Sequence, residues 1–215
     1  MTCCSGCGCS GTDRFFSRWS KTYAKRFRKK GPDKVQKYLL EGIRLTPVSS
    51  ARILDIGCGV GALHLTLLKE GAAHATGIDA AEGMVQHAKT MARELSLDER
   101  TSYVVGDFSE KAPDLPDADI VTLDKVVCCY DNLDALLAGS LQKARRVFAL
   151  SRPNDRIHIH WVFVIQIFLA KLFRAAFHPY WHDWTRMDGK IVAGGFREIY
   201  RNSTFMWSIA VYQRI

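Results

Sequence analysis

Two hydrophobic rhythms divide this 215-residue chain. Between Asp13 and Lys30, Phe15, Phe16, Trp19, Tyr23 and Phe27 recur three and four residues apart, with Lys and Arg filling much of the rest. That is the period of one helix face, so an amphipathic helix is expected, with Asp13 near its N-terminus. Gly31-Pro32 breaks it, and Asp33 to Arg44 predicts a second helix. From Arg52 short apolar runs alternate with helical stretches. Strands are expected at 52–57, 74–79, 101–105, 119–124 and 146–150, and helices at 62–70, 82–95 and 132–144. Such alternation means a parallel sheet covered on both faces. The ending differs: Phe196–Ser203 and Met206–Tyr212 predict two strands joined by a short turn, which pair antiparallel.

Residues 159–177 are almost wholly apolar. On a helical wheel His160, Lys171, Arg174 and His178 fall within roughly 60° of one another. The stretch reads as a core helix with a narrow wet stripe, as a cover over an apolar pocket, or as a contact with a membrane surface. The core or pocket-cover reading is preferred, because charges interrupt the run and the sheet needs covering.

With 47% hydrophobic and 24% charged residues, composition excludes wholesale disorder, collagen and coiled coil. No apolar run is as long as a membrane span, and no apolar segment of the signal-peptide kind follows Met1, so a cytoplasmic location is expected. The charge is uneven. Residues 1–50 carry 11 Lys/Arg against 3 Asp/Glu, residues 51–142 carry 7 against 15, and residues 143–215 carry 12 against 4. Basic flanks can attract nucleic acid, anionic lipid or a small anion, or simply be solvated. Four of the seven cysteines are Cys3, Cys4, Cys7 and Cys9. An odd count without an export signal predicts reduced thiols. Cys4-x-x-Cys7 has zinc-like spacing, but Cys7-x-Cys9 is tight for a second pair, so residues 1–12 are expected to be a mobile reduced tail and no metal site is assigned. His158-x-His160 and His178-x-x-x-His182 likewise read as ordinary polar histidines.

The loop Asp55-Ile-Gly57-Cys58-Gly59-Val60-Gly61 follows a strand and opens a helix. Glycines there let the backbone approach a ligand, and the helix N-terminus favours negative charge. Gly57-x-Gly59-x-x-Ala62 with Asp79 at the next strand end formally fits a dinucleotide fingerprint. Asp55 beside the loop is a poor neighbour for a pyrophosphate and a good one for a cation. Gly61 makes the pattern GxGxG. Asp107 adds a third acidic strand end with Phe108 beside it. In these features the chain resembles the class I S-adenosylmethionine-dependent methyltransferases, through LDIGCGVG, GID, GDF and DIVTLDK in order.

The resemblance implies S-adenosylmethionine as methyl donor. Gly57, Gly59 and Gly61 would approach its methionine part, with Asp55 near the ammonium. Asp79 would accept both ribose hydroxyls, Ala80 and Met84 would lie alongside, Asp107 would face the adenine amino group and Phe108 would pack on the ring. Asp124 and the residues after it would lie beside the methyl group. Methyl transfer from a sulfonium is an in-line displacement, so the protein mainly aligns acceptor and methyl. Asp124, Cys128, Cys129 and Tyr130 are the candidates nearest that chemistry, with Tyr23 from the N-terminal helix as a polar member touching cofactor or substrate. Adjacent Cys128 and Cys129 read either as small buried hydrophobes or as receivers of a soft acceptor, a thiol, sulfide or trivalent metalloid. Cys129-Tyr130 stands where the loosely similar magnesium-protoporphyrin O-methyltransferases carry a histidine-tyrosine pair. His160, Tyr180 and His182 are further candidate substrate contacts.

The expected fold is an α/β, Rossmann-like, doubly wound sheet of seven strands, six parallel and the last antiparallel. Residues 13–48 form a helical cap and residues 49–215 the cofactor-binding domain. The expected partner is a small-molecule acceptor, first a thiol or sulfide-like nucleophile, otherwise a porphyrin-type carboxylate or another metabolite. RNA methylation, or a non-catalytic cofactor-binding or metal-sensing role, ranks below these.

Overall fold

A computed structural model describes the backbone of residues 6–173, 175 and 177–215, and side chains from Asp13 onward. The Cys4-x-x-Cys7 pair and Arg174 of the predicted wet stripe lie outside what is described. The elements run α1 (Gly6–Lys30), α2 (Lys34–Ile43), β1 (Arg52–Ile56), α3 (Ala62–Lys69), β2 (His74–Asp79), α4 (Glu82–Glu94), β3 (Thr101–Val105), α5 (Phe108–Lys111), β4 (Ala118–Asp124), α6 (Leu133–Lys143), β5 (Ala144–Pro153), α7 (Ile157–Leu172), α8 (Trp184–Ala193), β6 (Phe196–Ser203) and β7 (Trp207–Arg214). The sheet order is β3-β2-β1-β4-β5-β7-β6. β1 to β5 are parallel, and β7 enters antiparallel between β5 and β6.

Period-two alternation sorts the sheet into two cores. Ile53, Ile120, Val147, Ala149, Ile209 and Val211 point to the face covered by α2, α3 and α4. Their neighbours Leu54, Val121, Phe148, Leu150, Ala210 and Tyr212 point to the face covered by α6, α8 and the inner edge of α7. Four elements depart from the expectations. Neither α5 nor α8 was anticipated. α1 begins at Gly6, so Asp13 lies inside it rather than at its start. α7 ends at Leu172, and among its residues only Ile159 and Phe163 are buried. No residue of α7 lines the cavity described below. The pocket-cover reading does not hold for that cavity, and the core reading holds only for Ile159 and Phe163, because α6 and α8 cover most of that face.

α1 docks on α4 by supplying its cap. Ala81, the residue before α4, has no side-chain acceptor. Glu82 N–H donates to Asp13 Oδ1 at 3.0 Å, and Gly83 N–H donates to Ser17 Oγ at 2.9 Å. Two orphan amides of α4 are thus satisfied from a helix remote in sequence. Any Cβ at Gly83 would come within 3.0 Å of Ser17 Cα, Cβ and Oγ. Gly83→Val is expected to lift α1 from α4 and leave the sheet folded. Hydrogen exchange should then accelerate over residues 13–30 with little change in β1 to β5.

Candidate functional site

β1, β2 and β4 end on one edge, where open parallel sheets bind ligands. The cavity there is closed over by Phe16, Tyr23, Arg26 and Phe27 of α1. Its floor is the glycine loop. Gly57, Gly59 and Gly61 have φ of 65°, 53° and 88°, a left-handed backbone costly for residues with a Cβ. A Cβ at Gly57 would meet Val126 Cγ2 at 2.3 Å, whereas one at Gly59 would meet nothing within 4 Å. The loop backbone is therefore exposed to the cavity at Gly59, a cradle that a side chain would fill.

Asp79 lies beside that cradle. Its Oδ2 accepts Gly59 N–H and its Oδ1 accepts Ala81 N–H, both at 2.8 Å. Each carboxylate oxygen keeps a lone-pair site for a further donor. Burial pushes the Asp79 carboxyl up to about 6, against the amides of Ala81 and Gly59 that favour its charged form. Ala80 and Met84 line the same wall, and Phe108 and Gly106 line the far end. Asp107 itself is not in the lining. It caps α5, accepting Ser109 N–H at 2.7 Å, and Tyr130 Oη stands 3.5 Å from it.

Asp55 lies under the loop with 2% exposure. Thr122 Oγ1 donates to its Oδ1 at 2.6 Å, and His64 Nδ1 is 2.7 Å from its Oδ2. His64 Nε2 is in turn 2.9 Å from Tyr103 Oη. Asp55 thus anchors β1 to β4 and to α3. Each of its oxygens has one partner and keeps a lone-pair site, and Asp55 also lines the cavity beside the glycine loop.

At the end of β4 a polar cluster forms that the sequence did not reveal. Asp124 Oδ1 accepts Ser151 Oγ–H at 2.7 Å, and its Oδ2 accepts Gln36 Nε2–H at 3.1 Å. Lys125 Nζ bonds Asp33 Oδ2 at 2.8 Å and Asp124 Oδ2 at 3.4 Å. Lys125 holds φ at 60°, a strained conformation that aims its ammonium back at α2. Burial raises the Asp124 carboxyl, and Lys125 and Ser151 only partly offset it. Burial pulls Lys125 down, but Asp124 and Asp33 outweigh it, so the ammonium stays firmly protonated. Asp33 is the better anion of the pair. Burial pushes it up, but Lys125 more than compensates and holds it below the usual range. Asp33 and Gln36 also form the capping box of α2.

The two adjacent cysteines part company. Cys128 points into the core with Val127 and Phe148. Cys129 lines the cavity with Tyr130. Its Sγ lies 3.4 Å from Lys125 O. Contact with Cys128 and burial push the Cys129 thiol well above its ordinary value, so it stays protonated at neutral pH. Cys128 therefore cannot contact a molecule in the cavity. Of the other candidates, Tyr23 lines the mouth, while His160, Tyr180 and His182 lie outside. His160 packs edge-on to Trp181, with ring centres 4.7 Å apart. Tyr180 N–H donates to Cys128 O at 2.7 Å, and His182 Nε2 is 2.8 Å from Tyr130 O. The 178–183 strand of chain buttresses the turn 128–131 from behind. Among the described residues no group of three or more His, Cys, Asp or Glu is placed to hold a metal ion.

The cavity fits S-adenosylmethionine. The open cradle at Gly59, the spare acceptor sites of Asp79 and the buried ring of Phe108 line one cavity and would suit an amino-acid part, a ribose and an adenine. Comparison with known proteins agrees. Residues 53–151 match the family model described as "Methyltransferase domain". The release factor glutamine methyltransferase of Rhodospirillum rubrum is 34% identical over 111 residues, 46% of this chain and 34% of that one. The chain spans about a third or less of the curated relatives it matches. Among solved structures, magnesium protoporphyrin IX methyltransferase from Synechocystis with bound SAM aligns over 100% of both chains, with TM-score 0.72 and 18% identity. An O-methyltransferase family 2 protein from Planctomyces limnophilus in complex with apigenin aligns over 94% of this chain and 62% of that one, with TM-score 0.67 and 13% identity. Those two share its fold. The strand order, the glycine loop and the matched segment coincide over the same residues: residues 53–151 match a methyltransferase-domain model, and the chain has the fold of the class I S-adenosylmethionine-dependent methyltransferases.

Proposed function

We propose that the chain transfers a methyl group from S-adenosylmethionine to a small acceptor held between α1 and the end of β4. The observation that carries this is the juxtaposition of the Gly59 cradle and Asp79 with Asp124, Lys125, Cys129 and Tyr130 in one cavity. When bound, the cofactor supplies a sulfonium-activated methyl. Gly57 to Gly61 and Asp79 hold it. α1 excludes water through Phe16 and Phe27, and Tyr23 and Tyr130 position the acceptor. Asp124 is the side chain suited to take an acceptor proton, since a buried carboxyl with a raised pKa is a better base than an exposed one.

For the acceptor, a thiol or sulfide-like nucleophile keeps Cys129 as its one supporting contact. Its second support is gone with Cys128 in the core. An acidic oxygen, a carboxylate or a phenol, has more in its favour. Arg26 places a cation at the same wall, beside Lys125 in its pairs with Asp33 and Asp124. The named neighbours methylate a porphyrin or hold a flavonoid. We therefore take O-methylation as the better-supported reading.

The test is release of S-adenosylhomocysteine with sulfide, methanethiol, a larger thiol, arsenite, magnesium-protoporphyrin and a phenol as acceptors. Turnover is expected on an oxygen acceptor. Cys129→Ser should leave it within about threefold, and Lys125→Ala should raise KM about tenfold, the loss of one charge-assisted hydrogen bond. Turnover confined to the sulfur or arsenic species, and lost in Cys129→Ser, would replace O-methylation with the soft-nucleophile reading.

A further inference from the structure

α7 presents its most apolar stripe to solvent. At 100° per residue, Ile157, Trp161, Val164, Ile165, Phe168 and Leu172 span about 100° of arc, opposite the buried Ile159 and Phe163. Phe168 is 63% exposed, Leu172 61% and Trp161 58%. A helix of a globular protein buries such a stripe, and a contiguous exposed one marks an interaction surface.

The surroundings say what covers it. Residues 156–182 contain no Asp or Glu, and neither do residues 14–32 of the segment containing α1. The two segments are continuous: Phe177 stacks on Phe15 with ring centres 5.2 Å apart and meets Phe16 at 5.3 Å. Beyond that contact α1 exposes Arg14, Arg18, Lys21, Lys25 and Lys29 beside the exposed ring of Trp19. On the other side of α7, Phe205 of the β6–β7 turn stacks on His158 at 5.0 Å. The result is an apolar ridge flanked by cations, with no acid on its own helix and the exposed Asp155 just before it. A second copy would set this positive face against itself. A nucleic-acid backbone would use the cations but leave Ile157, Val164, Ile165 and Leu172 in water, and these give no ring for a base to stack on. An anionic bilayer surface accepts both parts, with the aliphatic and aromatic side chains at the acyl boundary and Lys/Arg among the headgroups. With 16 residues, α7 is about 24 Å long, short of the roughly 30 Å hydrocarbon core. No described helix is long and apolar enough to cross a membrane. α7 would therefore lie on the surface.

We infer that α7, with the basic face of α1, docks the protein on an anionic membrane surface. The test is co-sedimentation of the full chain with phosphatidylcholine vesicles, and with the same vesicles containing about one-third phosphatidylglycerol, an amount giving a substantial negative surface potential. Binding to the anionic vesicles is expected to exceed binding to the neutral ones by at least about tenfold, and to weaken in high salt. Trp161→Glu with Phe168→Glu should cut it by about tenfold or more, because both side chains are solvent-exposed and would meet acyl chains. Arg18→Glu with Lys25→Glu should abolish the anionic preference. None of the four lines the cavity, so cofactor affinity should be unchanged, which separates loss of docking from misfolding. Equal, weak binding to both vesicle types would overturn the proposal. So would light scattering showing a dimer that Trp161→Glu with Phe168→Glu dissolves, since the ridge would then pair with itself.

Discussion

Asp79→Ala is expected to weaken S-adenosylmethionine binding by about a hundredfold or more. Two hydroxyl-to-carboxylate hydrogen bonds, each about 1.5–3 kcal/mol, would be lost together. The Gly59 amide would lose its tether in the same step. The pH dependence follows from burial of this carboxyl, which raises its pKa from 3.8 to about 6. Ribose hydroxyls donate to the charged form, so cofactor affinity should fall as pH drops through about 6, with proton release on binding in that range. The sign for stability is opposite. Between about 4 and 6 the folded protein binds this proton more tightly than the unfolded chain does, so Asp79's contribution to stability is lost as pH rises through that window. Calorimetric titrations and urea unfolding across pH 4–7 should show both slopes in the wild type. Asp79→Ala should lack both.

Gly57→Ala should damage the fold and the site at once. A left-handed alanine costs about 1 kcal/mol, and the Cβ would stand 2.3 Å from Val126 Cγ2. Overpacking a buried contact adds about 1–3 kcal/mol, for a total of about 2–4 kcal/mol. Val126 begins the turn that carries Cys129 and Tyr130, so relief of the clash would shift the acceptor wall. Gly59→Ala separates the two effects. Its Cβ meets no protein atom, so only the backbone cost of about 1 kcal/mol applies, yet the methyl occupies the cradle. Cofactor binding should fail in both variants, with melting lowered much further in Gly57→Ala. Similar melting for the two would mean that the Val126 contact is readily relieved.

The alternating strands and helices were legible because β1, β2 and β4 are short apolar runs closed by glycine or an acid, and the cofactor loop because left-handed positions demand glycine. The antiparallel pairing of the last two strands was also readable, since the chain between them is too short for a crossover. What escaped had physical reasons. α7 is apolar nearly all round, and composition alone cannot distinguish a helix buried in protein from one left bare. Asp55 reads as a cavity acid and does line the cavity, but its partners Thr122 and His64, from β4 and α3, needed the fold. Cys128 and Cys129 are adjacent in sequence, and the tight turn sends one side chain to the core and the other to the cavity. Lys125 gave no sign of its left-handed backbone. The helix starting at Asp33 was visible, but the capping box with Gln36 and the reach of that pair to Lys125 and Asp124 needed the fold.

The most direct test of the central claim is calorimetric titration of the intact protein with S-adenosylmethionine, S-adenosylhomocysteine and NAD. The glycine loop formally admits both cofactor classes, so the comparison decides between them. Saturable binding of the two sulfur nucleosides, with none for NAD, is the predicted result. Saturable binding of NAD by the folded protein, with no heat from either sulfur nucleoside, would contradict it.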